Sequence, residues 1–218
     1  ALARLLAQSG IAAVFSYAGR TSRPVPQPLP TRSGGFGGVE GLTRFLLTEG
    51  ITHVVDATHP FAAQMSAHAV SACAATGTAL AALERPPWRE GPGDRWTHVP
   101  DAVAAAAALP RAATSVFLAI GRQSLEPFSG LPHRWLLRLA EFDRREPVPL
   151  GADLVVERGP YTLDGDLALM RAHDIRIVVA KNAGGTAARA KLDAARALRL
   201  PVILIDRSAI PPRLVLDT

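Results

Sequence analysis

Six short apolar runs rich in β-forming residues recur along the chain, and stretches of helical periodicity separate them. The runs are 11–17 (IAAVFSY), 51–57 (ITHVVDA), 78–84 (TALAALE), 114–120 (TSVFLAI), 175–180 (IRIVVA) and 201–206 (PVILID). Such alternation constrains the fold strongly: neighbouring parallel strands need a long crossover, and a helix supplies one. Helices are expected over 39–49, with Leu42, Phe45 and Leu46 on one face and a stop at Gly50. Others are expected over 60–76, opened by Pro60 and closed by Gly77, over 163–172 and over 186–198. The alanine-rich 102–110 reads as a surface helix. On the strand 51–57, the period places His53 inward. The fold class is therefore α/β.

The segment 84–96 (ERPPWREGPGDRW) carries prolines, glycines and charges but no helix or strand period, so a domain junction is placed there. Residues 1–95 form an N-terminal Rossmann-like nucleotide-binding domain, and 96–218 a C-terminal α/β domain contributing to a substrate cleft. The first ten residues read as a helix with Leu2, Leu5 and Leu6 on one face. A nucleotide-binding domain has a central strand before this helix, so the sequence reads as lacking its first strand.

Composition excludes several classes. No run approaches the roughly 18 apolar residues of a membrane span. Cys73 is the single cysteine of the 218 residues, so neither an internal disulfide nor a zinc cluster is expected. A reducing cytoplasm fits. The net charge is +5, yet no block of like charge interleaves with aromatics, which argues against nucleic acid. All but Lys181 and Lys191 of the 24 basic residues are arginine, and this surface suits a small polyanion.

Candidate site residues cluster at strand ends and glycine-rich turns. The segment 32–41 (RSGGFGGVEG) fits neither GxGxxG nor a P-loop, but its glycines lead straight into a helix. Free N–H groups of Gly34, Gly35, Phe36, Gly37 and Gly38 can face an anion or a flat ligand, or form a flexible turn. The run SYAGRTS offers Ser16, Gly19, Arg20, Thr21 and Ser22 and no acid, which suits a 2′-phosphate or an ordinary polar turn. Thr58, His59 and Pro60 follow one strand, with Asp56 near its end. Arg122 and Gln123 follow a second, and Lys181, Asn182, Gly184 and Gly185 a third. Arg158 and Tyr161 lie in ERGPYT. No GxSxG elbow, paired-carboxylate or kinase signature is present.

The ordered set SYAGRT, GGFGGVEGL, VVDATHPFAAQMS, ERPPW, FLAIGRQ, ERGPY, KNAGGTAARAKLDAAR and PVILIDR resembles the precorrin-6A reductase family of cobalamin biosynthesis. The resemblance implies two Rossmann-like parallel-sheet domains with a cleft between them, NADPH as cofactor, and neither flavin nor metal. It further implies hydride transfer to a C=C bond of a tetrapyrrole, precorrin-6A or its cobalt form, with other cobalamin-pathway enzymes as partners. Ser16, Gly19, Arg20, Thr21, Gly35, Phe36, Gly37, Thr58, His59 and Pro60 are assigned to the cofactor. Gly34, Gly38, Arg122, Gln123, Arg158, Lys181, Asn182, Gly184 and Gly185 are assigned to the substrate. The proton donor stays open among Asp56, His59, Tyr161, Lys181 and solvent. A non-catalytic module sensing a dinucleotide or anionic metabolite is the alternative.

Overall fold

The computed structural model describes residues 1–19, 24–142, 148–149 and 151–217. Two compact units share them: Ala1–Asp56, Gln64–Ala81 and Pro212–Leu214 form the first, and Ala57–Ala63, Ala82–Pro211 and Val215–Thr218 the second.

In the first unit, helix α1 (Leu2–Gln8) precedes two three-residue strands, β1 (Phe15–Tyr17) and β2 (Thr31–Ser33), which pair in parallel. Helix α2 (Gly38–Thr48), strand β3 (His53–Asp56), helix α3 (Ala63–Thr76) and strand β4 (Ala79–Glu84) follow. Leu42 and Leu46 of α2 pack with Ala69, Ala72 and Cys73 of α3, and Val54 and Leu80 close this core from the strands. Because Val54 and Asp56 face inward on β3, His53 lies on the opposite parity and is exposed, not buried as its period predicts. Helix α3 begins three residues after Pro60, since Ala62 N–H closes a turn onto the His59 carbonyl at 2.7 Å.

The second unit is built on strands β5 (Trp96–Val99), β6 (Ser115–Ala119), β7 (Arg134–Leu139), β8 (Asp153–Val156), β9 (Ile177–Lys181) and β10 (Val202–Ile205), joined by helices α4 (Ala102–Ala107), α5 (Leu163–Ala172) and α6 (Ala190–Ala197). The sheet order is β5-β10-β9-β6-β7-β8, and every pairing is parallel. Its central strands β6, β7, β9 and β10 are buried on both faces, as a parallel sheet demands, while the edge strands β5 and β8 keep exposed residues. Phe117, Leu136, Val178 and Leu204 face α5 and α6, whereas Val116, Leu137, Val179 and Ile203 face α4 and the 3-10 turns around Leu125 and Phe128. A last strand, β11 (Leu214–Asp217), completes a three-stranded sheet in the order β11-β4-β3.

Local chemistry sets the helix starts. The Thr162 hydroxyl accepts the Gly165 N–H at 3.2 Å, so α5 begins where its period predicts. Helix α6 begins at Ala190 and not at 186, because residues 186–189 form a separate turn closed by Arg189 N–H onto Thr186 O. From β6 the chain steps outward to β7 and β8, then returns to place β9 on the other side of β6. This reversal is the point at which open α/β sheets bind ligands, beyond the carboxyl ends of the strands. Residues 121–123 and 181–182 follow those two ends.

Candidate functional site

In the first unit, Arg32 organises the glycine loop. Its guanidinium donates to Ser16 Oγ at 2.8 Å and to the carbonyls of Gly34 and Gly35 at 3.0 and 3.1 Å. It also lies over the Phe36 ring at 3.9 Å. These bonds hold the loop's carbonyls on the arginine side. Gly37, at φ 83°, caps α2 without any side-chain bond to the first turn, so the amides there have no side-chain partner.

A methyl group imagined on each glycine separates two kinds of turn. At Gly34, Gly35, Gly37 and Gly38 it would meet nothing within 4 Å. At Gly41 it would fall on the Phe36 carbonyl, so that glycine serves packing, and Gly19 serves the close approach of Gly34 at 3.2 Å. The loop over 34–38 is bare backbone with open space before it, the condition for close approach of a flat or phosphate-bearing ligand. Ser16, exposed, is bonded to Arg32. Arg20, Thr21 and Ser22 lie outside the described residues.

The glycines of the second unit behave oppositely. A methyl group on Gly184 would fall on the Pro86 carbonyl and within 2.5 Å of Arg207 Nη2, and one on Gly185 within 2.6 Å of Arg85 Cδ. Protein, not ligand, fills this space. The ERPPW segment is clasped against KNAGG: Trp88 N–H donates to Asn182 Oδ1 at 2.8 Å, Asn182 Nδ2 to Trp88 O at 3.2 Å, and Trp88 Nε1 to Gly185 O at 2.7 Å. The Asn182 side chain, assigned to substrate from the sequence, is buried and occupied by this clasp. Arg207 completes it, donating to the carbonyls of Asn182, Arg85 and Ala183 at 2.9, 2.8 and 3.1 Å, with Glu84 at 3.6 Å.

Beside the clasp stand His59, Phe61 and Lys181. Phe61 N–H donates to His59 Nδ1 at 3.2 Å, which assigns the hydrogen of the neutral ring to Nε2. Burial, then the charges of Arg85, Lys181, Arg207 and Lys191, lower the His59 pKa to about 4. The residue nevertheless keeps an accessible side, so protein crowds the ring without enclosing it. A neutral imidazole donates a hydrogen bond from Nε2 but has no imidazolium proton to give at neutral pH. Lys181 Nζ sits 5.1 Å from the Phe61 ring centre, and burial lowers its pKa.

The other sequence-predicted residues spread along the carboxyl ends of the strands. Gly121, at φ 75°, turns the chain into a 3-10 helix bearing exposed Arg122 and Gln123. Arg158 is ion-paired with Glu141. The Tyr161 hydroxyl donates to Glu157 O at 3.0 Å, its ring lies under Arg138 at 3.7 Å, and burial raises its pKa, which disfavours a phenolate. Asp56 is buried at the end of β3 in the first unit, while exposed Thr58 and His59 and buried Pro60 group with the second. Sequence reasoning missed Arg32, Arg85, Trp88 and Arg207. All four lie within the quoted motifs, but only Arg32 adjoins its glycines in sequence, whereas the other three reach Gly184 and Gly185 from distant parts of the chain.

The first unit thus carries a glycine loop open on one face, and the second a parallel sheet with its reversal point beside Lys181. The family described as Precorrin-6x reductase CbiJ/CobK matches residues 1–217. The chain belongs to this family. The Precorrin-6A reductase of Rhodobacter capsulatus is 63% identical over 97% of this chain and 85% of its own length. That of Rhodococcus erythropolis is 42% identical over 97% and 86%. A solved structure titled CobK precorrin-6A reductase superposes with a TM-score of 0.93 at 60% identity, covering 98% of this chain and 86% of that one. Membership makes the chain a reductase-family protein of α/β fold. Among the described residues, no helix is long and apolar enough to cross a membrane.

Proposed function

We propose that the chain catalyses NADPH-dependent reduction of one C=C bond of precorrin-6A, or of its cobalt form, in cobalamin biosynthesis. The observation that carries the reading is the contrast between glycine turns. The 34–38 loop leaves its backbone open, whereas the 184–185 turn is filled by Pro86, Arg85 and Arg207. The open loop fits a dinucleotide: its amides and the uncapped start of α2 would hold phosphate or ring, with Ser16, Arg20 and Thr21 toward the 2′-phosphate. Bound there, a reduced nicotinamide supplies a hydride.

The chain's own residues orient and stabilise. Arg32 holds the loop carbonyls away from the ligand face. Lys181, with Arg122 and Gln123 across the sheet's reversal point, presents charge and donors to a substrate bearing carboxylates. His59, neutral, offers Nε2–H as a donor. The proton that completes the reduction comes from Lys181, whose lowered pKa eases its release, or from solvent. Rate enhancement then rests on near-attack placement and on cations near charge spreading over the macrocycle. The reading carries a cytoplasmic location and neighbouring cobalamin-pathway enzymes with it.

The test is NADPH oxidation, followed at the nicotinamide band, coupled to a change in the visible spectrum of precorrin-6A. Turnover should require both compounds, and NADH should serve much less well. Tight NADPH binding without turnover would replace catalysis by sensing.

A further inference from the structure

Strands β1 and β2 of the first unit set Ser16 and Arg32 side by side, as register partners in a parallel pair. From that place the Arg32 guanidinium commits three of its five N–H donors. Nη1 gives to Ser16 Oγ at 2.8 Å and to Gly34 O at 3.0 Å, and Nη2 gives to Gly35 O at 3.1 Å. The guanidinium carbon lies 3.9 Å from the centre of the Phe36 ring and 5.4 Å from that of Phe45, and these two rings meet edge-on at 5.2 Å. Gly34 N–H ties the loop a second time, donating to Tyr17 O at 2.9 Å.

In a trans peptide the carbonyl and the N–H that follows it point in opposite directions. Pinning the Gly34 and Gly35 carbonyls to Arg32 therefore turns the N–H groups of Gly35 and Phe36 to the other side of the loop. Among the described residues neither of these amides donates to a backbone carbonyl, and a methyl group on Gly34 or Gly35 would meet nothing within 4 Å. The serine hydroxyl has a single hydrogen. Because Arg32 donates to its oxygen, the hydrogen of the exposed Ser16 hydroxyl points away from the guanidinium and is polarised as a donor.

We propose that Arg32 is a positioning residue of the nucleotide site and sets its preference for a 2′-phosphate. It acts through Ser16, whose hydroxyl it turns into a donor for that phosphate. It acts equally through the Gly34 and Gly35 carbonyls, whose fixing presents the next two amides to the rest of the nucleotide. The guanidinium stays on the carbonyl side of the loop and does not touch the ligand. This role rests on the nucleotide reading proposed above and names the residue that makes the open loop selective.

The experiment titrates the full chain calorimetrically with 2′,5′-ADP and with AMP, which differ by the 2′-phosphate alone, beside Arg32→Met, Arg32→Lys, Ser16→Ala and the double variant Arg32→Met with Ser16→Ala. Arg32→Met should weaken both ligands and cut the preference for 2′,5′-ADP on the order of tenfold. Ser16→Ala should cut that preference equally and leave AMP unchanged. The double variant should then show the preference of Ser16→Ala and the AMP affinity of Arg32→Met. Arg32→Lys should behave as Arg32→Met, because a point charge cannot serve three acceptors held apart. The role is overturned by a preference that survives Arg32→Met, that Arg32→Lys retains, or that falls further in the double variant than in Ser16→Ala, since the last two make Arg32 a direct ligand. A parent chain that binds neither fragment, or both alike, overturns it as well. The two readings fail separately: the expected pattern without NADPH oxidation by precorrin-6A removes only the proposed function, and turnover with a preference indifferent to Arg32 removes only the positioning role.

Discussion

Asn182 holds the Trp88 peptide by both of its polar atoms, accepting the N–H at 2.8 Å and donating to the carbonyl at 3.2 Å. An asparagine amide thereby replaces a strand partner for a segment that has none. Trp88 is 5% exposed, so water does not take over if the amide is lost. Asn182→Ala leaves two buried backbone groups unsatisfied and should cost about 2–4 kcal/mol. Asn182→Asp keeps the acceptor but sets an oxygen against the Trp88 carbonyl, so it should also destabilise. Urea midpoints of the two variants check this; a midpoint unchanged by both would mean that the clasp contributes nothing.

The two glycine turns make opposite predictions. Gly184→Ala meets the Pro86 carbonyl at a φ of 70° and should cost about 3–5 kcal/mol. Gly35→Ala meets nothing within 4 Å and needs no positive φ, so stability should change by about 0.5 kcal/mol or less. Its effect should fall on the ligand: NADPH affinity drops on the order of tenfold if the nucleotide lies against this backbone. Melting curves and NADPH titrations of the two proteins separate the effects. Unchanged NADPH affinity in Gly35→Ala would remove the nucleotide from the loop.

The same pair shows what a sequence can disclose. Both GGFGG and KNAGG read as bare backbone for a ligand, because a string cannot say what faces a glycine. The filler of Gly184 and Gly185 comes from residues 85–86 and 207, far away in the chain. Parallel α/β architecture was legible because strands such as β9, apolar over 177–180, and β10, apolar over 202–205, are continuous apolar runs. Strand β7 was not: RWLLRL carries two arginines, and Arg138 is tolerated inside only because Asp166 arrives from α5. Strands β1 and β2, at three residues each, are too short for any period to register. Lys181 was found by rarity, whereas Arg85 and Arg207 were hidden among the other arginines.

Arg138 and Asp166 form an ion pair with side chains 4% and 3% exposed. The Arg138 guanidinium also lies against the rings of Tyr161 and Phe117, at 3.7 and 5.0 Å. Removing one partner strands a charge, so Asp166→Ala should cost about 3–5 kcal/mol. The double change Arg138→Met with Asp166→Leu should recover most of that loss, since an apolar pair needs no desolvation. Denaturant unfolding of the single and double variants tests this, and additive losses would refute it.

His59 makes stability fall as acid is added. Its folded pKa, about 4, lies below the ordinary value of 6.5, so between these values the unfolded chain binds a proton that the native chain refuses. Stability is therefore full above about pH 6.5 and is lost as pH falls toward 4. His133, whose pKa burial also lowers, acts in the same direction. His59→Gln should flatten part of the slope between pH 4 and 6.5 while leaving pH 7.5 unaffected by titration. Because the ring is neutral at working pH, the kcat profile should show no His59 limb near pH 6.5. Such a limb, absent from His59→Gln, would contradict the neutral-donor role.

Lys191 produces the corresponding effect on the alkaline side. It is 4% exposed on α6, its ammonium bonded to the Ala188 carbonyl and 4.8 Å from the Trp88 ring. Burial, with Arg138 nearby, lowers its pKa from 10.5 to about 7, and Asp166 only partly opposes this. Between pH 7 and 10.5 the unfolded chain holds a proton that the native chain does not, so this residue makes stability rise with pH, by at most about 1.4 kcal/mol per unit. Below pH 7 the native protein carries a buried ammonium at full cost. Lys191→Met retains the stem's packing without the charge, so it should be more stable than the parent at pH 7, with the gap narrowing toward pH 10.5. Urea unfolding at intervals from pH 6 to 10 measures both effects. A parent slope that persists unchanged in Lys191→Met would place the titrating group elsewhere and leave Lys191 a charged residue matched by Asp166.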